Sequence, residues 1–232
     1  MEEALDAAEN LLYKEMPAYI VAVNVDVIVK IEHDPYLKEI IDNADICLVD
    51  GKPLVWIAER EGHPVKEKVS GSDLVPQLCH RAARHGHSVF IMGGAEGVAE
   101  RAGKNLIKRY PGLCLAGTYA PPFGFEDNPQ EIDKINSMLD EAAPDYLFVC
   151  LGCPKQEKWV YENIGKNRVK VIICAGATVD FLAGNVNRAP KWMSEHGLEW
   201  LYRMTQDPGR LVKRYLIDDM QIFRLVWRYR AR

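Results

Sequence analysis

A chain of 232 residues, 48% hydrophobic and 27% charged, has the balance of a globular protein and enough material for one large buried core. Its formal net charge of −4 argues against a general nucleic-acid binder, which would be basic over a whole face. The six cysteines do not demand a disulfide framework, because Cys47, Cys150 and Cys174 lie in apolar strand-like runs and a chain of this size needs no staples.

Met1–Asp6 is acidic and lacks the apolar stretch of a secretory signal, and no apolar run reaches the roughly 20 residues that a membrane helix needs. A cytoplasmic protein with reduced thiols is therefore expected. Along the chain, β-rich runs at Tyr19–Val23, Ile46–Val49, Ser88–Met92, Leu113–Thr118, Tyr146–Leu151 and Lys170–Cys174 alternate with amphipathic stretches at Ser72–Arg84, Glu96–Tyr110 and Gln130–Glu141. That alternation predicts βαβ units wound into a mainly parallel sheet flanked by helices, an α/β fold. The loop Pro121–Pro129 reads either as a mobile segment beside a site or as a surface excursion.

From Gly184 onward no further strand is expected, and Pro190, Pro208 and Gly209 punctuate helical segments. The division that follows is an α/β core over residues 1–195 and a helical, basic appendage over 196–232. The appendage carries Arg203, Arg210, Lys213, Arg214, Arg224, Arg228, Arg230 and Arg232 against Asp207, Asp218 and Asp219, so an acidic body ends in a basic tail suited to an anionic partner. Leu216, Met220, Phe223 and Trp227 recur at helical spacing in one predicted last helix, with Arg224, Arg228 and Arg232 alongside. Such a stripe packs into a core or lies on a membrane surface.

In doubly wound sheets ligands bind beyond the carboxyl ends of the strands. Asn24 and Asp26 follow the first strand, Asp50-Gly51 the second, Gly93-Gly94 the third, Gly152-Cys153-Pro154-Lys155-Gln156-Glu157 the fifth, and Gly176 the sixth. Asp50 is either a cleft carboxylate, whose pKa burial would raise toward that of a useful base, or a turn or helix-capping residue. Gly93-Gly94-Ala95-Glu96-Gly97 offers backbone amides at a helix start expected over Ala95–Gly97, as a phosphate turn or a tight-packing turn. It matches a dinucleotide fingerprint only in part, since Met92 stands at the first glycine position and no acid ends the next strand. Cys150-Leu151-Gly152-Cys153 cannot by itself close a zinc site. Asp218-Asp219, assigned to the terminal helix and away from any strand end, is a poor candidate for a metal-diphosphate site.

Taken together, Val49-Asp50-Gly51, Val69-Ser70-Gly71-Ser72-Asp73-Leu74, Phe90-Ile91-Met92-Gly93-Gly94, Arg109-Tyr110-Pro111-Gly112-Leu113, Leu151-Gly152-Cys153-Pro154-Lys155-Gln156-Glu157, Val179-Asp180-Phe181-Leu182-Ala183-Gly184, Arg188-Ala189-Pro190 and Gly197-Leu198-Glu199-Trp200-Leu201-Tyr202-Arg203 resemble the WecG/TagA/CpsF glycosyltransferases (family 26). They run in the family's order from about residue 19 to 215. The resemblance implies a Rossmann-like core and an inverting transfer of N-acetylmannosamine or a related sugar. The donor would be a UDP-sugar and the acceptor a saccharide on polyprenyl diphosphate, used in cell-surface polysaccharide or teichoic acid synthesis. It places the enzyme at the inner face of the plasma membrane, held there through its tail, without a cofactor or metal and in an oligomeric state left open.

Carried over by resemblance, Asp50 is the catalytic base and Asn24 orients a substrate sugar. Lys68, Gly93, Gly94, Gly152, Lys155, Gln156 and Gly176 line the donor cleft, Asp180 meets the uracil, and Arg203, Arg210 and Arg214 neutralise the diphosphate. Two positions depart from the family pattern: Ala22 stands where a threonine is expected, and Lys68 where an arginine is. A nucleotide-dependent oxidoreductase built on Gly93-Gly94, or a non-catalytic member of the family, are the alternative readings.

Overall fold

The computed structural model describes residues 1–230, the side chains of 191 and 195 excepted. Six strands form one parallel sheet: β1 (Ala18–Val23), β2 (Ile46–Val49), β3 (Ser88–Gly93), β4 (Cys114–Tyr119), β5 (Tyr146–Cys150) and β6 (Val171–Cys174), ordered β2-β1-β6-β5-β3-β4. A parallel sheet is covered on both faces, so its central strands read as continuous apolar runs rather than as alternation. Tyr146-Leu147-Phe148-Val149-Cys150 is buried at every position. Each expected strand is present, the fourth starting one residue later than the sequence suggests because Leu113 packs into the core ahead of the ladder.

The pleat sends alternate side chains to two separate cores. On one face Ile20, Ile91, Phe148 and Ile173 meet helices α1 (Glu2–Leu11), with α5 and α6 introduced below. On the other, Tyr19, Val21, Phe90, Leu147 and Ile172 meet α2 (Val25–Ile31) and α3 (Pro35–Asp42). The remaining core helices are α4 (Lys52–Arg60), α5 (Gly71–His85), α6 (Val98–Arg109), α7 (Pro129–Ala142), α8 (Lys155–Asn163) and α9 (Thr178–Ala183). Capping sets several starts: Asn24, Asp34, Ser70 and Asn128 accept hydrogen bonds from backbone amides in the first turns of α2, α3, α5 and α7.

Two sequence expectations change here. The helix predicted to open at Ala95–Gly97 begins only at Val98, with Gly97 as a left-handed cap. The loop before α7 is anchored by buried Phe125, while Phe123 stands fully exposed at its tip.

The C-terminal part is helical, with α10 (Lys191–Glu195), α11 (Glu199–Gln206), α12 (Pro208–Lys213), a π-helical turn at Arg214–Asp218 and α13 (Gln221–Arg230). The predicted single last helix is thus broken, and Leu216, Met220, Phe223 and Trp227 are 51, 51, 66 and 78% exposed. They do not form the packed side of the tail. Its packed side is Ile222 and Leu225, which join Val29 of α2 with Leu54 and Ile57 of α4 alongside. Arg232 of the expected basic flank lies outside the described residues. Among the described residues no helix is long and apolar enough to cross a membrane.

Candidate active site

The carboxyl ends of β2, β1, β6 and β5 open into one cleft of about 400 Å³, roofed by the appendage. Asn24, Asp26, Asp50, Gly152, Gln156, Glu157 and Gly176 line it from the sheet side, and Arg203, Arg210, Arg214 and Asp218 from the tail.

Asp50 continues the β1–β2 pairing by donating its amide to the Val23 carbonyl at 2.8 Å. Gly51, at φ 114°, then turns the chain into α4. The alternative of a capping aspartate is excluded, because Gly51 occupies the cap position and no side chain caps α4. Among the described residues the Asp50 carboxyl makes no hydrogen bond. Burial pushes its pKa from 3.8 to about 6; Lys68 and Arg203 pull it back, and Glu199 and Asp73 push it further up. An unpaired carboxyl with that proton affinity, facing a cleft, can take a proton from a hydroxyl near neutral pH.

Asn24 caps α2 through Oδ1, 3.2 Å from the Val27 amide, and the same oxygen accepts from Arg214 at 3.4 Å. Buried Asp26 pairs with Lys30 at 2.7 Å and approaches Arg214 at 3.6 Å, while Lys30 also donates to the Cys153 carbonyl at 2.8 Å. Arg214 further faces Asp219 at 3.8 Å, whose pKa burial raises to about 6. Asp218 and Asp219 therefore belong to the rim rather than to a distant terminal helix, because the π-helical turn folds them back over α2. Spacing alone misplaced them: a helix of constant pitch would have carried them away.

Gln156 is buried, and its Oε1 accepts from the amides of both Gly152 (3.3 Å) and Gly176 (3.1 Å). Its Nε2 donates to Glu157 Oε1 at 2.7 Å. This one amide thereby fixes the loops after β5 and β6, so its contribution to the cleft is to set two backbones. Glu157 is 0% exposed, and burial holds its pKa above the usual carboxylate range.

The structure leaves five expected residues outside the cleft lining. Gly93 ends β3 and Gly94 follows it, both beside Cys150, and a Cβ on Gly93 would sit 2.3 Å from the Cys150 carbonyl oxygen. Close strand packing accounts for that glycine. Lys155 pairs with Glu126 at 2.5 Å under Phe123. Asp180 accepts from Asn185 at 3.2 Å. Lys68 lies between Asp73 and Glu199, at 3.3 and 3.4 Å. Conversely, sequence reasoning passed over Lys30, Ser72 and Phe181 as cleft residues. The i, i+4 pair Asp26–Lys30 was the available signal for the first.

A profile of the glycosyl transferase WecG/TagA/CpsF family matches residues 1–232. The chain belongs to this family. It is 30% identical over 193 residues to an N-acetylglucosaminyldiphosphoundecaprenol N-acetyl-beta-D-mannosaminyltransferase of Bacillus spizizenii, covering 83% of this chain and 73% of the relative. The Staphylococcus aureus enzyme of the same name is 30% identical over 194 residues, covering 83% and 74%. That of Bacillus subtilis is 26% identical over 202 residues, covering 87% and 77%. In this WecG/TagA/CpsF glycosyltransferase, Asp50 shares one cleft with Arg203, Arg210 and Arg214. With the catalysed chemistry a glycosyl transfer, the Gly93-Gly94 turn carries no oxidoreductase reading.

Proposed function

We propose that this glycosyltransferase moves N-acetylmannosamine from a UDP-sugar donor onto an N-acetylglucosamine linked through diphosphate to undecaprenol. The observation that carries the proposal is the unpaired Asp50 carboxyl, with a pKa raised to about 6, in a cleft that Arg203, Arg210 and Arg214 also line. Asp50 takes the proton of the acceptor hydroxyl as that oxygen attacks the anomeric carbon. The bond from this carbon to the donor's phosphate oxygen breaks on the opposite face, which inverts the configuration. UDP departs with added negative charge, and Arg203, Arg210 and Arg214 stabilise it. Asn24 orients a substrate sugar through its amide nitrogen, while Gln156 holds the Gly152 and Gly176 backbones at the cleft wall.

The appendage, taken as residues 196–232, holds the enzyme to the inner leaflet. Support comes from the exposed face Leu216, Ile217, Met220, Phe223 and Trp227, accompanied by Lys213, Arg224 and Arg230, while Arg228 pairs with Glu32 at 3.2 Å. Sedimentation with anionic vesicles tests this. Loss of binding on deleting the last helix supports it, and concentration-dependent self-association without vesicle binding would assign the face to a second copy.

The transfer itself is tested with UDP-N-acetylmannosamine and a short-chain polyprenyl-diphosphate N-acetylglucosamine. Asp50→Asn should lower the rate by about 10²–10⁴-fold while UDP still binds. Wild-type rate in that variant would remove Asp50 from the mechanism.

A further inference from the structure

The surroundings of Asp50 are assembled from both parts of the chain. Lys68 lies on the segment that runs beside the end of β2, where the Val69 amide donates to the Val49 carbonyl at 2.9 Å. Its ammonium, on a side chain only 16% exposed, lies between two carboxylates: Asp73 at 3.3 Å and Glu199 at 3.4 Å. Asp73 is already occupied by the Ser70 hydroxyl, on the same Oδ2 that Lys68 approaches, and by the Arg188 guanidinium on Oδ1. Glu199 comes from the first turn of α11 and has Lys68 as its one ion-pair partner among the described residues. One turn later, on the same helix face, Arg203 reaches the cleft.

We propose that Glu199 is a positioning residue for Asp50: it holds the Lys68 ammonium between itself and Asp73, leaving the Asp50 carboxyl unpaired and free to accept a proton. The proposal rests on the reading of Asp50 as the base. The charged groups that face Asp50 are Lys68, Arg203, Glu199 and Asp73, two of each sign. Neutralising Glu199 leaves Lys68 with only Asp73, which Arg188 and Ser70 already satisfy, and the ammonium then turns to Asp50. A carboxylate committed to an ion pair is both a weaker base and one whose lone pairs are directed away from the acceptor. Glu199 does not line the cleft, so it acts on the reaction at a distance, through its hold on Lys68 and through its own charge near Asp50. On this view the appendage supplies more than positive charge for the diphosphate, since it also sets the strength of the proton acceptor.

The test follows the carboxyl carbon of Asp50 by NMR titration in the full-length protein, the resonance being identified by its loss in Asp50→Asn. The wild-type midpoint is expected near 6. In Glu199→Gln it should fall by about half a pH unit or more, in Glu199→Asp it should return toward wild type, and in Lys68→Gln it should rise. The acidic limb of kcat/KM should move with the midpoint, with a lower plateau rate and unchanged UDP affinity. An unmoved midpoint in Glu199→Gln, or a Glu199→Asp variant as impaired as Glu199→Gln, overturns the proposal. A midpoint that moves as expected while Asp50→Asn keeps full activity upholds the Glu199–Lys68 relation and instead removes Asp50 as the base.

Discussion

Arg214 and Asn24, separated by 190 positions in the chain, meet at 3.4 Å. Their contact joins the π-helical turn of the appendage to the end of the first strand, and it closes the cleft on one side.

Arg214→Met should loosen that closure. It removes the cation from buried Asp26 and Asp219, the latter left facing Asp26 with less compensation. The side chain is 24% exposed, so the expected loss is about 1–3 kcal/mol rather than the larger cost of a fully buried pair. Urea unfolding should report that loss, limited proteolysis should cut more readily within residues 207–220, and UDP affinity should fall at least tenfold.

Asp50→Asn should trade activity for stability in a pH-dependent way. The folded-state pKa of Asp50 lies at about 6, above its ordinary 3.8, so folding favours the protonated form. The wild-type protein therefore loses stability as pH rises from about 4, and the full cost is present above about 6. The asparagine variant avoids it. Thermal unfolding should show the variant more stable by about 1–2 kcal/mol at pH 8 and equal to wild type at pH 4. A constant difference across that range would mean that the carboxyl does not titrate as its surroundings dictate.

Glu157 should tolerate its amide and little else. Burial raises its pKa, which again places the energetic cost on the ionised form at high pH. Glu157→Gln keeps an oxygen for the Gln156 amide, so it should melt at or above the wild-type temperature at pH 8, with the difference shrinking toward pH 4. Glu157→Ala leaves that buried amide without its acceptor and opens a void, costing about 2–4 kcal/mol. With Gln156 released, the Gly152 and Gly176 loops lose their common anchor, and KM for the donor should rise in whatever fraction remains folded.

The paired change Phe223→Asp and Trp227→Asp should separate membrane binding from folding. Both side chains are exposed, so stability should change by less than about 0.5 kcal/mol each. Sedimentation with anionic vesicles should nevertheless drop sharply, and turnover of a long-chain acceptor should fall more than turnover of a short-chain one. Equal loss on both acceptors would point to a role for these residues inside the cleft.

The sheet was legible in the sequence because apolar β-rich runs such as Tyr146–Cys150 have no other way to bury both faces, and the strand ends therefore gave Asn24, Asp50, Gly152 and Gly176 their place. What escaped depended on pairing between distant segments. That Gln156 ties the Gly176 backbone, that Lys155 belongs to Glu126, and that Gly93 makes room for Cys150 are facts about neighbours 20 or more residues away. The break in the tail escaped for a local reason. A π-helical turn at Arg214–Asp218 interrupts what the spacing predicts as one last helix, and the apolar stripe is left on the exposed side, away from buried Ile222 and Leu225. Asp218 was returned to the rim by the same turn.

The two sides of α13 also fix a distance. Ile222 and Leu225 press on α2, whose cap, Asn24, borders the cleft, while Phe223 and Trp227 face outward. With the outward side in the lipid headgroups, the cleft floor stands only about one or two helix diameters, ~10–20 Å, above the bilayer. That height suits an acceptor carrying its first sugar directly on the diphosphate. On the proposed membrane placement a longer glycan would carry its growing end past Asp50, so the thickness of a helix layer would favour an acceptor with a single sugar on its diphosphate over an extended one.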